Sequence, residues 1–554
     1  MSKTGSCWIC RLRRKKCDQG RPDCQTCSAL SIQCHYSEDR PEWMDGAEKQ
    51  NEMTRRLKAQ VRQGRERRRD RDYVRVLDMG DGFAARKEST PLYTNLPDSG
   101  LTLRSIPIAK ELDVDFTMHY IDHVFPFLFP FYAPPMIQGG RAWVLDVLRS
   151  NETLFQAAMG LSIYFLTLVL SIEDISCYEV CRQNSWNLLE GHANAAVKSL
   201  QEEVLAINHH QPKATIIQQS RAMESITQLM VLEMSMAKTS ELNMHLAAAI
   251  SLFEDIVRPH MREGRLDIMR VMTELERPAL APLTTQRPAW GTEQAAFRFF
   301  VATLLRADIV SSVSLRTIPR LRKYYPDLIC HDYGGPTVTP LLRMEEYVGC
   351  EGWVLISIAD ISALDVWKLQ EQESSMLTPE DLCKRGDQID CNIRSGLRGL
   401  EERCKKRVGE HRRILHTFFQ SSDTNQTTKR AAATRIWAYA ARIYLSIVTL
   451  GWQPHHQAHR ENVTEVLRLL KQQDDPAILC SSTWPFFVAG CVADTSQEHQ
   501  FRDLAIASGT LQSFGLVGTS LRLLEHVWSR REELNEEWNL AAFLSMMDSP
   551  VLFL

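Results

Sequence analysis

The chain has 554 residues, of which 44% are hydrophobic and 24% charged, and its formal net charge is −3. This balance conceals an asymmetry, because residues 1–75 hold 19 Lys and Arg against 11 Asp and Glu, a net charge of +8, whereas residues 76–554 carry −11. An acidic body repels phosphate, so the charge distribution excludes contact with a polyanion along the whole chain and favours contact at one end only.

The first predicted element is a cysteine unit that occurs twice within 34 residues: a cysteine, a second after two residues, and a third after six more. Thiolates at this spacing are typical zinc ligands. Two tetrahedral ions need eight ligand positions, so six cysteines suffice for two zinc ions only if two sulfurs are shared. Under a pseudo-twofold relation the shared pair is Cys7 with Cys24, Cys10 with Cys27, or Cys17 with Cys34, and spacing alone does not choose among them.

Other uses of these cysteines fit the sequence less well. A disulfide framework needs an oxidising compartment, and Met1 to Gly5 lead into the cluster with no apolar signal segment, so we expect reduced thiols. Iron–sulfur clusters of the ferredoxin type need tighter runs of cysteine, and a thioredoxin motif uses a single pair. We therefore predict a binuclear zinc cluster within residues 1–36.

A run of cations lies between the second and third cysteines, where five of the six residues from Arg11 to Lys16 are Lys or Arg. The corresponding stretch of the second copy, Ser28 to Gln33, has none, so only one half is suited to a polyanion. On a helical turn these side chains point in nearly every outward direction, and some reach phosphates while others reach base edges. A solvated charged face or a nuclear localisation signal is the alternative explanation.

This segment resembles the fungal Zn2Cys6 binuclear cluster DNA-binding family. The resemblance covers all six cysteines, the basic run from Arg11 to Lys16, and the loop from Asp18 to Asp23 with its proline, Pro22. Membership of that family implies that Cys7 and Cys24 bridge the two metal ions.

The resemblance also implies roles for the basic run. Arg13 and Arg14 occupy the family's base-reading positions and would contact a CGG-like triplet in the major groove, while Arg11 and Lys16 would hold phosphates. Many relatives carry Lys at the base-reading positions, although Arg is the better bidentate partner for guanine. The predicted DNA-binding set is Arg11, Arg13, Arg14, Lys15 and Lys16.

Residues 37–112 are predicted to be a basic and polar linker. Arg55 to Arg71 contains nine Lys and Arg against two acids, and many relatives carry a dimerising coiled coil in this region. Here Met53, Leu57 and Val61 give only two apolar turns, whereas a coiled coil needs three or four heptads. We predict a short basic helix or flexible linker that adds phosphate affinity and nuclear import, followed by a linker rich in glycine and proline at 76–112.

Residues 113–554 are predicted to form one large α-helical domain, because apolar residues recur at helical spacing and strand-like alternation is scarce. Asn151 and Glu152 are predicted to start a helix. Further helices are predicted at 179–207, 214–237, 240–263, 291–313, 344–370, 379–407, 428–449, 460–472, 497–509 and 519–533.

One stretch of the body has the length of a membrane span, because Thr153 to Ile172 contains no charged residue over 20 positions. It does contain hydroxyl and amide side chains, and no cluster of Lys or Arg marks a cytoplasmic flank. We therefore predict a buried central helix and no membrane partner.

Three stretches of the body, Asp115 to Phe131, Gly349 to Lys368, and Trp484 to Gly490 followed by Trp528, resemble the second type of fungal-specific transcription factor regulatory domain. This resemblance implies an all-helical regulatory domain. The sequence contains no phosphate-binding glycine loop, no HExxH motif and no strand-flanked nucleophile elbow, so we expect that the protein is not an enzyme.

Two smaller groups in the body are assigned structural roles. His455, His456 and His459 include an i, i+4 pair that could bind a metal, but Pro454 and the polar surroundings favour an exposed loop. The apolar residues from Trp538 onward, which follow a group of glutamates, have helical spacing. They are predicted to pack on the core rather than to form an acidic activation segment.

Two functions of different classes follow. The first is a nuclear, sequence-specific transcription regulator that reads a CGG-like element at RNA polymerase II promoters through a binuclear cluster with two zinc ions. Its expected partners are double-stranded DNA, the transcription machinery or co-regulators, and a small-molecule effector, with the protein acting as a monomer or weak homodimer. The alternative is a zinc-stabilised nuclear scaffold or ligand-binding protein that does not bind DNA directly.

Overall fold

The computed structural model describes residues 6–13, 15–21, 24–28, 34–37, 41, 43–44, 49–50, 53–57, 108–135, 139–170, 178–209, 214–238, 240–276, 290–329, 341–407, 424–453, 456–533, 538–545 and 553. The chain separates into two compact units, Met1–Ser99 and Gly100–Leu554. Each unit has an apolar cluster of its own.

The first unit has the short helices α1 (Trp8–Leu12) and α2 (Gln25–Ser28), followed by helical residues at 49–50 and 53–57, of which the second stretch is called α3. Its buried cluster consists of four cysteines with Ile9 and Leu57. So small an apolar core cannot stabilise a domain by burial alone, and domains of this size commonly depend on a metal or on disulfides.

The second unit is built from helices. Its larger helices are α4 (Ile108–His119), α6 (Ala142–Ser150), α7 (Glu152–Leu170), α8 (Tyr178–His209), α9 (Ile216–Ser235), α10 (Leu242–Val257), α11 (Ile268–Glu274), α12 (Thr292–Leu315), α15 (Gly352–Glu373), α16 (Pro379–Arg407), α17 (Thr424–Leu450), α18 (Gln457–Lys471), α20 (Thr483–Cys491), α21 (Glu498–Ala507) and α22 (Val517–Ser529). Short helices complete the set: α5 (Phe125–Leu128), α13 (Tyr325–Leu328), α14 (Met344–Tyr347), α19 (Pro476–Ser481) and α23 (Leu540–Leu544), with a π-helical turn at Tyr120–Val124 and 3-10 turns at Arg258–His260, Arg320–Tyr324, Gly509–Ser513 and Arg531–Glu533.

The predicted all-α class is confirmed, with two differences of detail. The predicted helix at 240–263 ends at Val257 and is followed by an antiparallel hairpin, β1 (Met261–Arg262) with β2 (Arg265–Leu266). The hairpin turn residues Glu263 and Gly264 have φ of 49° and 80°, the left-handed conformation that a two-residue hairpin turn requires. The predicted helix at 344–370 is likewise divided into α14 and α15, at Gly349 with φ of 87°.

The core is centred on α12, which is buried along most of its length and packs against α6, α9, α10 and α15. Phe299 of this helix lies among aromatic rings, 4.7 Å from that of Phe129 and 5.0 to 5.4 Å from those of Tyr132, Trp143 and Phe125. Edge-to-face and offset contacts of this kind stabilise beyond the area they bury. Phe125 and Phe129, near the end of the stretch Asp115 to Phe131, therefore pack on α12.

Helix α7 is the segment with the length and apolarity of a membrane span, and 67% of Glu152–Val169 is buried within the helical body. It packs against α8 and α9. Asn151 begins it as predicted, because its side-chain oxygen accepts a hydrogen bond from the Leu154 amide at 3.1 Å. The Tyr164 hydroxyl donates to the Ser513 carbonyl, 349 residues further along the chain, at 2.8 Å. These contacts are those of a core helix.

A carboxyl group is buried where α9 meets α8 and α12. Glu224 is fully buried, and the Ser220 hydroxyl donates to one of its oxygens at 2.8 Å. Its other oxygen has no hydrogen-bond partner in the described part of the chain. Burial, with the nearby carboxylates of Glu293 and Glu203, raises the pKa of Glu224 to about 8, although Ser220 and Arg221 act in the opposite direction.

The histidine group differs from the prediction. His455 lies outside the described residues and His456 is exposed, but His459 belongs to α18 and is fully buried. Its Nε2 lies 3.5 Å from the Ser446 hydroxyl of α17, and burial lowers the pKa of His459 to about 4. His459 lies in the interior because α18 packs its apolar face on α17. The neighbouring proline and polar residues gave no indication of this burial in the sequence.

The segment from Trp538 packs on the core as predicted. Leu540, Phe543 and Leu544 of α23 are buried, and the Trp538 ring stacks on that of Phe543 with 5.5 Å between the centroids. Glu536, Glu537, Met546 and Met547 of the same prediction lie outside the described residues.

Candidate metal centre and nucleic-acid interface

The cysteine repeat of the sequence is also a repeat of the backbone. Helix α1 begins directly after Cys7 and α2 directly after Cys24. The backbone amide of Cys7 donates to the sulfur of Cys17 at 3.5 Å, and that of Cys24 donates to the sulfur of Cys34 at 3.1 Å. The two halves therefore use the same hydrogen bond, between the first and third cysteine of each copy.

The six sulfurs form two groups of four. One group contains Cys7, Cys10, Cys17 and Cys24, the other Cys7, Cys24, Cys27 and Cys34, and within each group the sulfurs lie no more than 4.8 Å apart. The two groups overlap in Cys7 and Cys24, which is the pair that the family resemblance implies as bridging.

The geometry and chemistry of these sulfurs fit zinc. The sulfur of Cys10 lies 3.6 Å from that of Cys24, and the sulfur of Cys7 lies 3.8 Å from that of Cys27 and 3.9 Å from that of Cys24. Zn–S bonds of about 2.3 Å in a tetrahedron place sulfurs about 3.8 Å apart, whereas a disulfide bond is about 2.0 Å long. All six cysteines are free thiols.

Burial opposes ionisation of the thiols. It raises the pKa of Cys7, Cys10 and Cys34 to about 11. At Cys17 burial acts in the same direction, but the amides of Cys7 and Gln19 donate to its sulfur and lower its pKa to about 7. A divalent cation would offset the repulsion among crowded thiolates, and metal binding to such a site releases protons.

An aspartate outside the cysteine pattern joins the two halves. The carboxylate of Asp18 accepts hydrogen bonds from the backbone amides of Gln25 at 3.0 Å and Thr26 at 3.4 Å. In return the Thr26 hydroxyl donates to the Lys16 carbonyl at 3.0 Å. The donor amide of Gln25 lowers the pKa of Asp18, which is fully exposed. The sequence offered no signal for this contact, because the start of α2 is seven positions after Asp18.

A tyrosine reaches from the end of the second half back to the first. The Tyr36 hydroxyl donates to the Gly20 carbonyl at 2.9 Å and lies 3.7 Å from the sulfur of Cys17. The Arg21 guanidinium lies 4.9 Å from the centre of the Tyr36 ring. Partners of this kind orient metal ligands and tune their affinity.

The basic run is less helical than the sequence indicates. Helix α1 ends at Leu12, and the amide of Lys15 donates to the Cys10 carbonyl at 3.0 Å. The chain must turn here to bring Cys17 back to the other sulfurs. Lys15 and Lys16 are exposed, whereas Arg13 is partly buried, and its Nη1 has no hydrogen-bond partner in the described part of the chain. Arg14 and Pro22 lie outside the described residues.

Arg11, the remaining predicted DNA-contacting residue, is exposed in the last turn of α1. Its guanidinium lies 4.6 Å from the centre of the Trp8 ring. The Trp8 indole N–H donates to the Ser37 carbonyl at 3.0 Å, and the Trp8 amide donates to the His35 carbonyl at 2.9 Å. Sequence reasoning missed Trp8. Its signal was the i, i+3 spacing from Arg11 in a predicted helical turn.

The apolar residues Met53 and Leu57, which follow the cysteine cluster, pack within the first unit. Leu57 of α3 is buried in the same cluster as the cysteines, and Met53 and Trp43 pack against it. Val61, the third of these apolar residues in the sequence, lies outside the described residues. Met53 and Leu57 therefore contribute to the core of this unit.

Two sequence families match the chain. The model described as "Fungal Zn(2)-Cys(6) binuclear cluster domain" matches residues 5–42, and the model described as "Fungal specific transcription factor domain" matches residues 115–554. The first match includes all six cysteines, and the second includes almost all of the described helical body.

Similar proteins are found along most of the chain. "Transcription factor dibT" of Pestalotiopsis microspora is 31% identical, over 99% of this chain and 98% of its own length. "Pestheic acid cluster transcriptional regulator 3" of Pestalotiopsis fici is 28% identical over 97% and 96%. "Trichothecene biosynthesis transcription regulator TRI10" of Trichoderma arundinaceum is 24% identical over 79% and 93%. No solved structure matches the chain.

Proposed function

The chain belongs to the fungal Zn2Cys6 transcription factors, which are DNA-binding transcription regulators and not enzymes, and we propose that it reads a CGG-like element through a binuclear cluster of two zinc ions. The ligands are Cys7, Cys10, Cys17, Cys24, Cys27 and Cys34. The observation that supports this assignment is the overlap of two four-sulfur groups in Cys7 and Cys24. The zinc ions hold the two halves together and so set the position of the basic run.

The stoichiometry and the bridging pair are tested together by measuring metal content. The purified full-length protein is expected to contain two equivalents of zinc. Because a bridging sulfur contacts both ions, Cys7→Ser should lose both, whereas Cys10→Ser, which removes a ligand of one ion only, should retain part of the metal. Equal zinc content in the two variants would contradict the assignment of Cys7 as a bridge.

DNA recognition is assigned to the basic run. Arg13 and Arg14 read guanine edges in the triplet, while Arg11 and Lys16 contact phosphates, and Lys15 completes the DNA-binding set. Exposure of Arg11, Lys15 and Lys16 supports their part of this assignment, and the role of Arg14 rests on the family resemblance. Base contacts specify sequence, whereas phosphate contacts add affinity without sequence preference.

Gel-shift titrations of the full-length protein separate these two roles. Arg14→Ala should weaken binding to a CGG-containing duplex by about 1 to 3 kcal/mol and leave binding to a scrambled duplex nearly unchanged. Arg11→Ala should weaken binding to both duplexes alike and reduce the dependence on salt concentration. Equal losses from the two variants on both duplexes would overturn the division into base-reading and phosphate-binding residues.

The remaining assignments concern organisation and biology. The DNA-binding domain spans residues 1–36, the linker 37–112 and the regulatory domain 113–554, and the protein acts in the nucleus with co-regulators and a small-molecule effector, as a monomer or weak homodimer. Its targets are the genes of a biosynthetic cluster, since two of the relatives are named for the pestheic acid cluster and for trichothecene biosynthesis.

A map of bound sites across the genome of the source organism tests the target assignment. Sites should concentrate in promoters of neighbouring biosynthetic genes and contain a CGG-like triplet. Deletion of the gene should change the transcript levels of that cluster. Bound sites scattered without relation to biosynthetic genes would contradict it.

A further inference from the structure

The structure contains an aromatic support for one cation of the basic run. Trp8 and Arg11 are both residues of α1, three positions apart, and side chains at this spacing lie on the same face of a helix. The Arg11 guanidinium lies 4.6 Å from the centre of the Trp8 ring, within the range of a cation–π contact. Among the described residues no ion pair joins Arg11 to a carboxylate.

The indole is held by contacts outside α1. Its N–H donates to the Ser37 carbonyl at 3.0 Å, and the Trp8 amide donates to the His35 carbonyl at 2.9 Å. Both acceptors follow Cys34, the last cysteine of the second half. The orientation of the ring is therefore determined by the segment beyond the cluster as well as by the short helix that carries it.

A cation held in this way keeps its hydrogen-bonding capacity. All donors of a guanidinium lie in the plane of the group, and an aromatic ring beneath the guanidinium covers a face and uses no donor. An unrestrained arginine loses side-chain entropy when it binds a phosphate, and a pre-ordered one loses less. The stacked Arg11 is thus restricted in position while its N–H groups can still donate.

We propose that Trp8 is a positioning residue for DNA binding, which holds the guanidinium of Arg11 where it meets a backbone phosphate. This proposal rests on the proposed phosphate contact of Arg11. The partner group is the phosphodiester of the duplex, so the contribution of Trp8 is independent of base sequence. If Trp8 only attached α1 to the segment after Cys34, its substitution would disturb the fold of the first unit and would show no energetic coupling to Arg11.

A double-mutant cycle on the zinc-loaded full-length protein tests the link. Trp8→Leu removes the ring and should lower the affinity for CGG-containing and scrambled duplexes alike, by about two- to five-fold, the range of an exposed cation–π contact. In an Arg11→Ala background the same substitution should have almost no effect. The control is Lys15→Ala, which removes an exposed cation that has no cation–π contact with Trp8 in the described part of the chain. In a Lys15→Ala background, Trp8→Leu should lower the affinity by the same factor as in the wild type.

Trp8→Phe separates the ring from the indole N–H, because it keeps an aromatic face and loses the bond to Ser37. It should retain most of the affinity and most of the coupling to Arg11. Zinc content and resistance to a chelator are measured for every variant, and only variants with full zinc content enter the cycle.

Two results would overturn the proposal. One is an equal loss from Trp8→Leu whether or not Arg11 is present, and the other is a loss from Trp8→Phe as large as that from Trp8→Leu. Failure of the proposed phosphate contact is recognised separately, because Arg11→Ala alone would then leave DNA affinity unchanged.

Discussion

At the scale of single residues, Glu224 is a carboxylic acid that is fully buried in the helical body. One oxygen accepts from Ser220, while the other has no partner among the described residues. Because burial raises the pKa of this carboxyl to about 8, the folded protein holds it in the neutral form at neutral pH.

The buried carboxyl makes stability depend on pH, and Glu224→Gln should remove that dependence. The ordinary pKa of a glutamate is near 4.5, so between that value and about 8 the unfolded chain releases a proton that the folded chain retains. Stability therefore falls as the pH rises through this window. We expect Glu224→Gln to change the melting temperature little at pH 4 and to raise it at pH 9, where the gain in the free energy of unfolding is at most roughly 5 kcal/mol.

Thermal unfolding followed by circular dichroism at pH 4, 6, 8 and 9 measures this effect. Glu402→Gln, at an exposed position of α16, is a suitable control because it removes the same charge from the surface. Parallel curves for the wild type and Glu224→Gln across all four pH values would contradict the prediction.

Tyr36 is expected to affect the metal centre, although it is not a predicted ligand. Tyr36→Phe removes the hydroxyl that donates to Gly20 and lies 3.7 Å from the sulfur of Cys17. Loss of such a partner typically lowers metal affinity by 10- to 100-fold. We expect zinc to pass to a chromophoric chelator about ten times faster from this variant.

The matched control for Tyr36 is Thr26→Val. It removes the hydroxyl bond to the Lys16 carbonyl, which lies in the same unit and involves no sulfur. Release of zinc from Tyr36→Phe at the same rate as from Thr26→Val would show that the hydroxyl at position 36 does not support the metal ligand.

At the scale of secondary-structure elements, a glycine determines how α14 passes into α15. Gly349 has φ of 87°, and a Cβ atom at this position would collide with the ring of Phe131. Phe131 is itself buried and cannot move without disturbing its neighbours. Both the backbone conformation and the space therefore require glycine.

Gly349→Ala should destabilise the helical body more than the same change at Gly264. Gly264 has a similar φ of 80°, but nothing lies within 4 Å of its potential Cβ, so alanine there introduces backbone strain only. At Gly349 overpacking against Phe131 adds about 1 to 3 kcal/mol. A comparison of melting temperatures measures the difference, and equal decreases would contradict the role of Phe131.

The helices illustrate what sequence periodicity can and cannot predict. The apolar spacing predicted α16 at its observed bounds and α9 and α12 within two residues at each end. It missed the hairpin at Met261–Leu266, because two-residue strands are too short for an alternating pattern. It also misplaced His459, because the side of α18 that packs on α17 depends on tertiary contacts rather than on composition.

At the scale of the whole molecule, the two units should respond differently to metal removal. The first unit has a small apolar cluster built around sulfurs, whereas the second has an extensive core of its own. A strong chelator should abolish DNA binding and unfold the first unit, and it should leave the far-ultraviolet circular dichroism and melting temperature of the helical body nearly unchanged.

This prediction is checked by recording DNA binding, zinc content and the circular dichroism spectrum in one chelator titration. Addition of zinc to the reduced protein should restore DNA binding. A cooperative loss of most helical signal as zinc leaves would contradict the independence of the helical core.

For the candidate site, the sequence predicted the residue types but not their arrangement. Cysteine spacing indicated shared sulfurs and left three possible pairs. The family resemblance implied the pair Cys7 and Cys24, and the two four-sulfur groups of the structure overlap in that pair. Contacts that join distant parts of the unit, such as Asp18 to α2 and Trp8 to Ser37, have no periodic signature. They depend on how the two halves face each other once the sulfurs are gathered.

The bond between Tyr164 and Ser513 has a consequence for synthesis on the ribosome. Helix α7 is completed long before the turn that receives its tyrosine, because the two residues are 349 positions apart. At translation rates of about 5 to 20 residues per second, that interval lasts roughly 20 to 70 seconds. During this time a mostly apolar helix lacks part of its covering, so nascent chains should be bound by chaperones, and slower elongation should increase their aggregation.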